Sequence, residues 1–232
     1  MKLLSFLDPD VRVLLPDNTE RKLLTYQLPS ALLMLSAMFI VVSIFLPYWS
    51  LMMTAPQYPK GLTVSVFVNR IAGDVSEVDA LNHYLGMPPL DNGGQLERSV
   101  SVLAMVVVGL TLVASVFVHN RWAAALVLPV IVFPLVFLAD LYLILYQYGH
   151  SIDPKSALGG AIAPFTPPIF GEGKIGQFGT YSYAEPGLYL AFAAVAVALI
   201  GLYFHRRAYK PIHDARKKVE AAKSAAIPAA AA

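Results

Sequence analysis

Four long apolar stretches, almost free of charged residues, dominate the hydrophobic pattern of the chain. They cover about residues 28–53, 99–119, 122–146 and 186–205. A helix needs roughly 20 mostly apolar residues to cross about 30 Å of hydrocarbon, and in lipid its backbone polar groups must be satisfied internally. The pattern therefore predicts four transmembrane helices, separated by polar segments of very different lengths.

The polar segments predict one tight turn and two long outer loops. The second and third helices are joined only by His119–Arg121, whereas the other connections, 54–98 and 147–185, are long. Loops of this length are sufficient to form a small lid over a four-helix bundle. The pattern thus predicts an all-α membrane protein in which residues 28–205 form the transmembrane domain.

Local patterns predict short elements inside the two loops. Residues Leu62–Val68 alternate apolar and polar side chains, as half-buried strands do. Ser76–Asp79 has the form of a capping box, which predicts a short helix that ends at Gly86. The second loop is rich in proline and glycine, which predicts a structure built from turns rather than helices.

The segments outside the transmembrane domain differ in character. We expect residues 1–27 to form a cytoplasmic segment at the membrane surface, in which Asn18 and Thr19 would cap a short helix. Several acidic residues precede the long first apolar stretch, which argues against a cleaved signal peptide. Residues 206–232 form a basic, alanine-rich tail, and we expect its end to be disordered.

Composition narrows the class of protein further. Of the 232 residues, 57% are hydrophobic and 14% are charged, whereas soluble domains carry about 25% charged residues. An ordinary cytosolic fold is therefore excluded. The chain has no cysteine, which removes disulfides, thiolate metal sites, iron–sulfur clusters and cysteine nucleophiles.

The distribution of lysine and arginine predicts the orientation in the membrane. If the N-terminus is cytoplasmic, the inner segments carry twelve of the 17 basic residues and the outer loops carry five. The outer five are Lys60, Arg70, Arg98, Lys155 and Lys174. Because basic residues are retained on the cytoplasmic side, we predict that both termini are cytoplasmic and that the two long loops are periplasmic.

Several loop sequences resemble those of a known family. They are Pro47–Trp49, Ala55–Leu62, Leu81–Met87 and Pro164–Pro168, followed by Gly171 and Gln177–Phe178. With its APQYPxGL and NHYxGM loop motifs, the chain resembles a family of small bacterial integral membrane proteins associated with nitrous oxide reductase and other copper-enzyme accessory genes. The resemblance implies a location in the bacterial inner membrane and a connection with respiratory copper proteins.

One pair of side chains is a candidate copper site. His83 and Met87 are four residues apart, and Asp79 lies four residues before His83, so a helix would place them near one face. Imidazole and thioether groups suit Cu(I). Met87, however, follows Gly86, where the helix is predicted to end. The pattern leaves two roles for His83, copper binding and structural hydrogen bonding.

Other patterns that carry chemistry are absent from the sequence. There is no phosphate-binding or dinucleotide-binding glycine loop, no nucleophile elbow and no basic and aromatic pattern typical of nucleic-acid binding. We therefore predict no catalytic residue, no firmly bound cofactor and no nucleic-acid partner. The five histidines lie at helix ends or in loops, which disfavours haem ligation. Asp140 is the one charged residue within an apolar stretch.

Three functions are compatible with these patterns. We expect a non-catalytic subunit or assembly factor of a respiratory or copper-containing membrane complex, which contacts lipid and docks on other subunits through its periplasmic loops. Aromatic residues near prolines would supply the docking surface. The candidate docking residues are Tyr58, Tyr84, Phe165 and Phe178. The alternatives are a periplasm-facing copper-handling protein and a small transporter or quinone-linked subunit that uses Asp140.

Overall fold

Helices account for most of the structure, a computed structural model that describes residues 12–14, 20–55, 57–120, 122–175 and 178–226. The helices are α1 (Leu24–Ser43), α2 (Val75–Leu85), α3 (Gln95–Phe117), α4 (Trp122–His150) and α5 (Pro186–Ala226). Among the described residues, all of these except α2 are long and apolar enough to cross a membrane. The expectation of a multi-pass membrane protein is confirmed at this level.

Strands are also present, so the prediction of an all-α fold is wrong. The strands of the described residues are β1 (Arg12–Leu14), β2 (Glu20–Lys22), β3 (Trp49–Ala55), β4 (Tyr58–Val66), β5 (Ile71–Gly73), β6 (Gly171–Ile175) and β7 (Phe178–Ala184). β1 and β2 form an antiparallel pair, and the other five form an antiparallel sheet in the order β5-β4-β3-β7-β6. The predicted cap at Asn18 and Thr19 lies outside the described residues, and β2 replaces the helix expected after it.

The first apolar stretch divides into a helix and a strand. α1 ends at Ser43, and the N–H of Leu46 donates to the Ser43 carbonyl at 3.1 Å in a tight turn. The residue before a proline is disfavoured in the helical conformation, so Pro47 prevents the helix from continuing. The chain then enters β3, and the prediction of one helix over residues 28–53 is wrong beyond Ser43.

The other three long helices confirm the predicted segments, with shifted ends. α3 begins at Gln95 rather than at residue 99, and α4 continues to His150. α5 continues past residue 205 to Ala226, because the following residues are mainly alanine, lysine, arginine and glutamate, which favour helix. The disorder predicted for the end of the tail, Ala221–Ala232, is wrong as far as Ala226, because the chain is helical there. Residues 227–232 lie outside the described residues.

The chain divides into two compact units, each made of separate segments. Residues 38–109 and 130–193 form one unit, which contains the five-stranded sheet and which we call the sheet unit. The second is formed by residues 1–37, 110–129 and 194–232, and we call it the helical unit.

Within the sheet unit, the five-stranded sheet joins the two predicted outer loops. β4 and β5 come from the first loop, and β6 and β7 come from the second. β3, the end of the first apolar stretch, lies between them and pairs with both β4 and β7, with Met52 opposite Tyr181. One face of the sheet packs with α2 around a buried hydrophobic core. The core residues are Met53, Leu62, Val64, Val78, Leu85, Ile175 and Phe178. The two loops therefore form one folded structure with its own core.

The short helix α2 agrees with the sequence pattern except at its first turn. It ends at Gly86, whose φ of 78° is left-handed, as predicted. The N-cap residue is Asp74, and Ser76 instead donates to the neighbouring Glu77 carboxylate at 2.8 Å. The predicted capping box is therefore wrong. The Asp74 carboxylate does not cap α2, because it accepts a hydrogen bond from the Thr63 N–H at 2.8 Å.

The junction between α1 and β3 is built around a buried tyrosine. The Tyr48 ring packs 4.8 Å from the Phe137 ring of α4, and its hydroxyl donates to Ser43 Oγ at 2.7 Å. Burial raises the pKa of Tyr48 to about 12, so this hydroxyl stays protonated at neutral pH. The Tyr48 carbonyl accepts from the N–H of Glu185, which holds the end of β7 beside the start of β3.

Candidate functional site

The face of the sheet opposite the core carries two tyrosine side chains, of which Tyr181 is exposed and Tyr183 is partly buried. Tyr181 and Tyr183 point to this face of β7, and their rings stack with centroids 5.8 Å apart. Tyr181 is 50% exposed, and Met52 lies directly opposite it on β3. We call Met52, Tyr181 and Tyr183 the aromatic face.

After Phe178, the next two residues on the core side of β7 are small and polar, which is the reverse of the usual alternation. Thr180 and Ser182 are buried, and their hydroxyl oxygens have no hydrogen-bond partner in the described part of the chain. Gly173, opposite Thr180 on β6, leaves room for Pro168 to cover this region, since a Cβ at Gly173 would lie 2.7 Å from Pro168 Cδ. The tyrosines are therefore turned outward.

The four predicted docking residues lie in different surroundings. Tyr84 is 60% exposed at the end of α2. Tyr58 and Phe165 are partly buried and pack against the core cluster. Phe178 is 4% exposed and belongs to the core itself, so it serves the stability of the sheet rather than a docking surface. Of the four residues, Tyr84 alone presents most of its side chain to a partner.

The exposed Tyr84 lies where the two loops meet. The N–H of Leu158 donates to the Tyr84 carbonyl at 3.0 Å, and the N–H of Asp153 donates to the Gly86 carbonyl at 2.8 Å. Leu158 is also exposed. Tyr84 and Leu158 therefore form a second exposed apolar surface, which is separate from the aromatic face.

The residues of the candidate copper site have separate roles. His83 is exposed and lies beside the Tyr84 ring, whereas Met87 packs against the core. Asp79 accepts a hydrogen bond from the Leu90 N–H at 2.7 Å. Within the described residues, no group of three or more His, Asp or Glu side chains could hold a metal ion. Copper binding by His83 and Met87 stays a prediction.

A cavity of about 370 Å³ lies in the sheet unit, between the core face of the sheet and parts of α3 and α4. Its wall is mostly apolar and includes Trp49 and Phe137, and its charged residues are Glu97, Arg98 and Asp140. Concave, largely apolar cavities with a few polar groups are the usual form of small-molecule sites. The sequence pattern singled out Asp140 but gave no indication of this cavity.

The charged groups of this cavity are unequally partnered. Arg98 forms an ion pair with Asp91 at 3.5 Å, and its guanidinium also donates to the Asp91 carbonyl. Asp140 has no hydrogen-bond or ion-pair partner in the described part of the chain. Two carboxyl groups, those of Glu97 and Asp140, therefore line a mostly apolar cavity, which favours a ligand that supplies a polar group.

Comparisons with known proteins assign no family. No protein-family model matches the chain, and no curated protein is significantly similar to it. The resemblance of the loop motifs to a family of copper-enzyme accessory proteins therefore stays a prediction. The aromatic face and the cavity of the sheet unit are the features that bear on function.

Proposed function

We propose that the protein is a non-catalytic subunit or assembly factor of a membrane complex, and that it docks on a partner protein through the aromatic face. The observation that supports this proposal is the exposed Tyr181, which stacks on the partly buried Tyr183 in a five-stranded sheet. Tyrosine is enriched in interfaces because it buries a large area with few rotatable bonds. A surface that is already held in place loses little conformational entropy on docking.

The edges of the sheet favour docking by its face. β5 is only three residues long, and short edge strands offer little backbone for pairing with another chain. β6, at the other edge, carries exposed Glu172 and Lys174. Charged side chains on an edge strand oppose pairing with a further strand. The partner is therefore expected to contact side chains rather than extend the sheet.

The setting of this docking follows from the loop motifs and the charge distribution. The resemblance of the motifs favours a respiratory or copper-containing complex in the bacterial inner membrane. The excess of basic residues in the other segments favours a periplasmic position for the sheet unit. The partner would then be a subunit with a periplasmic domain.

A pull-down with two matched variants tests the docking proposal. The tagged protein is purified from its native membranes in mild detergent, as wild type, as Tyr181→Ser and as Tyr84→Ser. Loss of a central interface tyrosine costs about 2 kcal/mol or more, which is roughly a thirtyfold loss of affinity. We expect Tyr181→Ser to release the partner and Tyr84→Ser to retain it.

Three results would contradict the proposal or relocate its surface. Retention of the partner by Tyr181→Ser, or purification of the wild-type protein alone, contradicts docking through the aromatic face. Release by Tyr84→Ser but not by Tyr181→Ser moves the docking surface to Tyr84 and Leu158. Equal thermal melting of the two variants shows that release is not caused by unfolding.

A second candidate function is supported by the cavity of the sheet unit. We propose that it holds a lipophilic ligand with a polar head, such as a quinone, which agrees with the quinone-linked alternative. Its apolar wall suits a hydrocarbon or an aromatic ring. The carboxyl groups of Glu97 and Asp140, which line the same cavity, would hydrogen-bond the polar head.

Organic extraction and mass spectrometry of the purified protein test this second function. Ala104 on α3 lines the cavity, whereas Val106 on the same helix does not. We expect wild type and Val106→Phe to retain a stoichiometric lipophilic compound, and Ala104→Phe to lose most of it because the larger ring fills the cavity. Absence of such a compound from the wild type, or equal retention in both variants, contradicts this function.

A further inference from the structure

A second cavity, of about 790 Å³, lies within the helical unit between the α3–α4 turn and α5. His119 and Trp122 line it from the turn and from the start of α4. α5 contributes His205, Tyr209 and a series of basic side chains. Neither the docking surface nor the quinone-linked alternative involves this cavity.

The basic side chains form one stripe of α5. Arg206, Lys210, His213 and Lys217 occupy positions i, i+4, i+7 and i+11, which lie on one face of a helix, and all four line the cavity. No aspartate or glutamate is among the lining residues in the described part of the chain. Charges of one sign around a concave surface focus the field and attract a counter-ion.

A buried histidine in the same wall has an unsatisfied ring nitrogen. His205 is 4% exposed, and its Nε2 has no hydrogen-bond partner among the described residues. The ring hydrogen-bonds the backbone of Val118, and it packs 4.7 Å from the Tyr209 ring and 6.0 Å from the nearly parallel His119 ring. A buried polar atom without a partner is unfavourable, so a ligand that hydrogen-bonds Nε2 would stabilise this wall of the cavity.

We propose that this cavity binds an anionic phosphate group. Arginine matches the oxygens of a phosphate in a bidentate arrangement, lysine adds point charge, and the ring N–H of His213 can donate a further hydrogen bond. The volume exceeds what a free phosphate needs, and Leu202 and Ala124 add an apolar part to the wall. The phosphate of an anionic phospholipid headgroup and free inorganic phosphate share this chemistry, and basic pockets between transmembrane helices commonly bind such headgroups.

The alternative explanation of the basic stripe is retention of the segment in the cytoplasm, which needs charge but no cavity. The chain contains a matched control for this alternative. Arg207 directly follows Arg206, is also exposed and carries the same charge, but it does not line the cavity. If the stripe serves only retention, replacing either arginine should have the same effect on ligand binding. If it forms a phosphate site, only replacement of Arg206 should weaken binding.

Calorimetric titration of the full-length protein in neutral detergent tests the proposal. The probes are dihexanoyl-phosphatidylglycerol, dihexanoyl-phosphatidylcholine and inorganic phosphate, each added to wild type, Arg206→Gln and Arg207→Gln. We expect saturable binding of phosphatidylglycerol, inorganic phosphate or both. We expect Arg206→Gln to weaken that binding about tenfold and Arg207→Gln to change it less than twofold, because loss of a charge-assisted hydrogen bond has about that effect.

The probes also identify the source of the phosphate. Saturation by phosphatidylglycerol alone assigns the site to a lipid headgroup, and saturation by inorganic phosphate as well assigns it to the phosphate group itself. Equal weakening by the two arginine variants overturns the proposal, because it indicates nonspecific attraction. Equal binding of phosphatidylcholine and phosphatidylglycerol, or no saturable binding of any probe, overturns it too.

Discussion

Gly86 is a point of close backbone contact between the first and second loops of the sheet unit. It ends α2 with a φ of 78°, and its carbonyl accepts a hydrogen bond from the Asp153 N–H. A Cβ at this position would lie 2.6 Å from the Asp153 carbonyl oxygen and would also overlap Ser156 Oγ. Glycine is required here for two reasons, the left-handed conformation and the closeness of the second loop.

Substitution of Gly86 therefore tests the contact between the loops. We expect Gly86→Ala to lower the free energy of unfolding of the sheet unit by about 3 kcal/mol, because strain and overlap act together. Gly171 is the matched control, since its φ is 93° but no atom lies within 4 Å of a Cβ placed there. Gly171→Ala should lower the free energy of unfolding by only about 1 kcal/mol. Thermal melting of the two variants in detergent measures these losses of stability, and equal losses would show that the loops do not touch at Gly86.

Single residues also show where prediction from sequence succeeds. The end of α2 at Gly86 follows from local chemistry, because glycine is favoured in the left-handed position after a helix. The exposure of Tyr181 does not follow, since an alternating pattern normally turns tyrosine inward and threonine outward. The reversal depends on Gly173 and Pro168, which lie beside Thr180 only after the sheet has formed.

At the scale of elements, the central feature is the pairing of β3 with β7. Thr54 of β3 and Gly179 of β7 lie opposite each other although 125 residues separate them. Length and hydropathy were sufficient to predict the long helices, because spanning a membrane imposes both. They were insufficient for β3, since a buried strand and a buried helix are both continuously apolar. No local signal specifies a partner so distant in sequence.

Cysteine pairs test this strand order cleanly because the natural chain has no cysteine. Residues directly opposite on neighbouring strands have Cβ atoms about 5 Å apart, which suits a disulfide. We expect the double variant Met52→Cys/Tyr181→Cys to form a disulfide under mild oxidation in detergent.

The control pair for this experiment is Met52→Cys with Glu172→Cys. Glu172 lies opposite Tyr181 on the next strand, so it is two strands, or about 10 Å, from Met52, which is too far for a disulfide. Gel mobility with and without reductant reports the result. A disulfide in the control pair alone would contradict the order β3-β7-β6.

At the scale of the whole molecule, the distribution of basic residues predicts the orientation of the chain in the membrane. Twelve of the 17 lysine and arginine residues lie in segments predicted to be cytoplasmic. We expect reporter fusions at Gly93 and Gly159 to be periplasmic and a fusion after Lys218 to be cytoplasmic, because basic segments are translocated poorly. Paired periplasmic and cytoplasmic reporters at each site measure this, and a cytoplasmic result at Gly93 would invert the proposed orientation.

Function at this scale is less accessible from sequence than fold. The cavity of the sheet unit collects Trp49, Glu97 and Asp140 from distant parts of the chain, so no spacing rule could predict it. Tyr84 was identified as a docking candidate and is exposed, but Phe178, with the same aromatic character, is in the core. Composition indicates which residues suit an interface, whereas only tertiary packing decides which of them reach the surface.

Site-specific photo-cross-linking in native membranes tests the docking claim most directly. A photoreactive phenylalanine analogue replaces Tyr181 on the aromatic face or, as a control, Tyr189, which is 64% exposed within the predicted membrane span of α5. Docking through the aromatic face predicts one discrete protein adduct from position 181 that is absent from position 189. No protein adduct at position 181, or the same adducts at both positions, would contradict it.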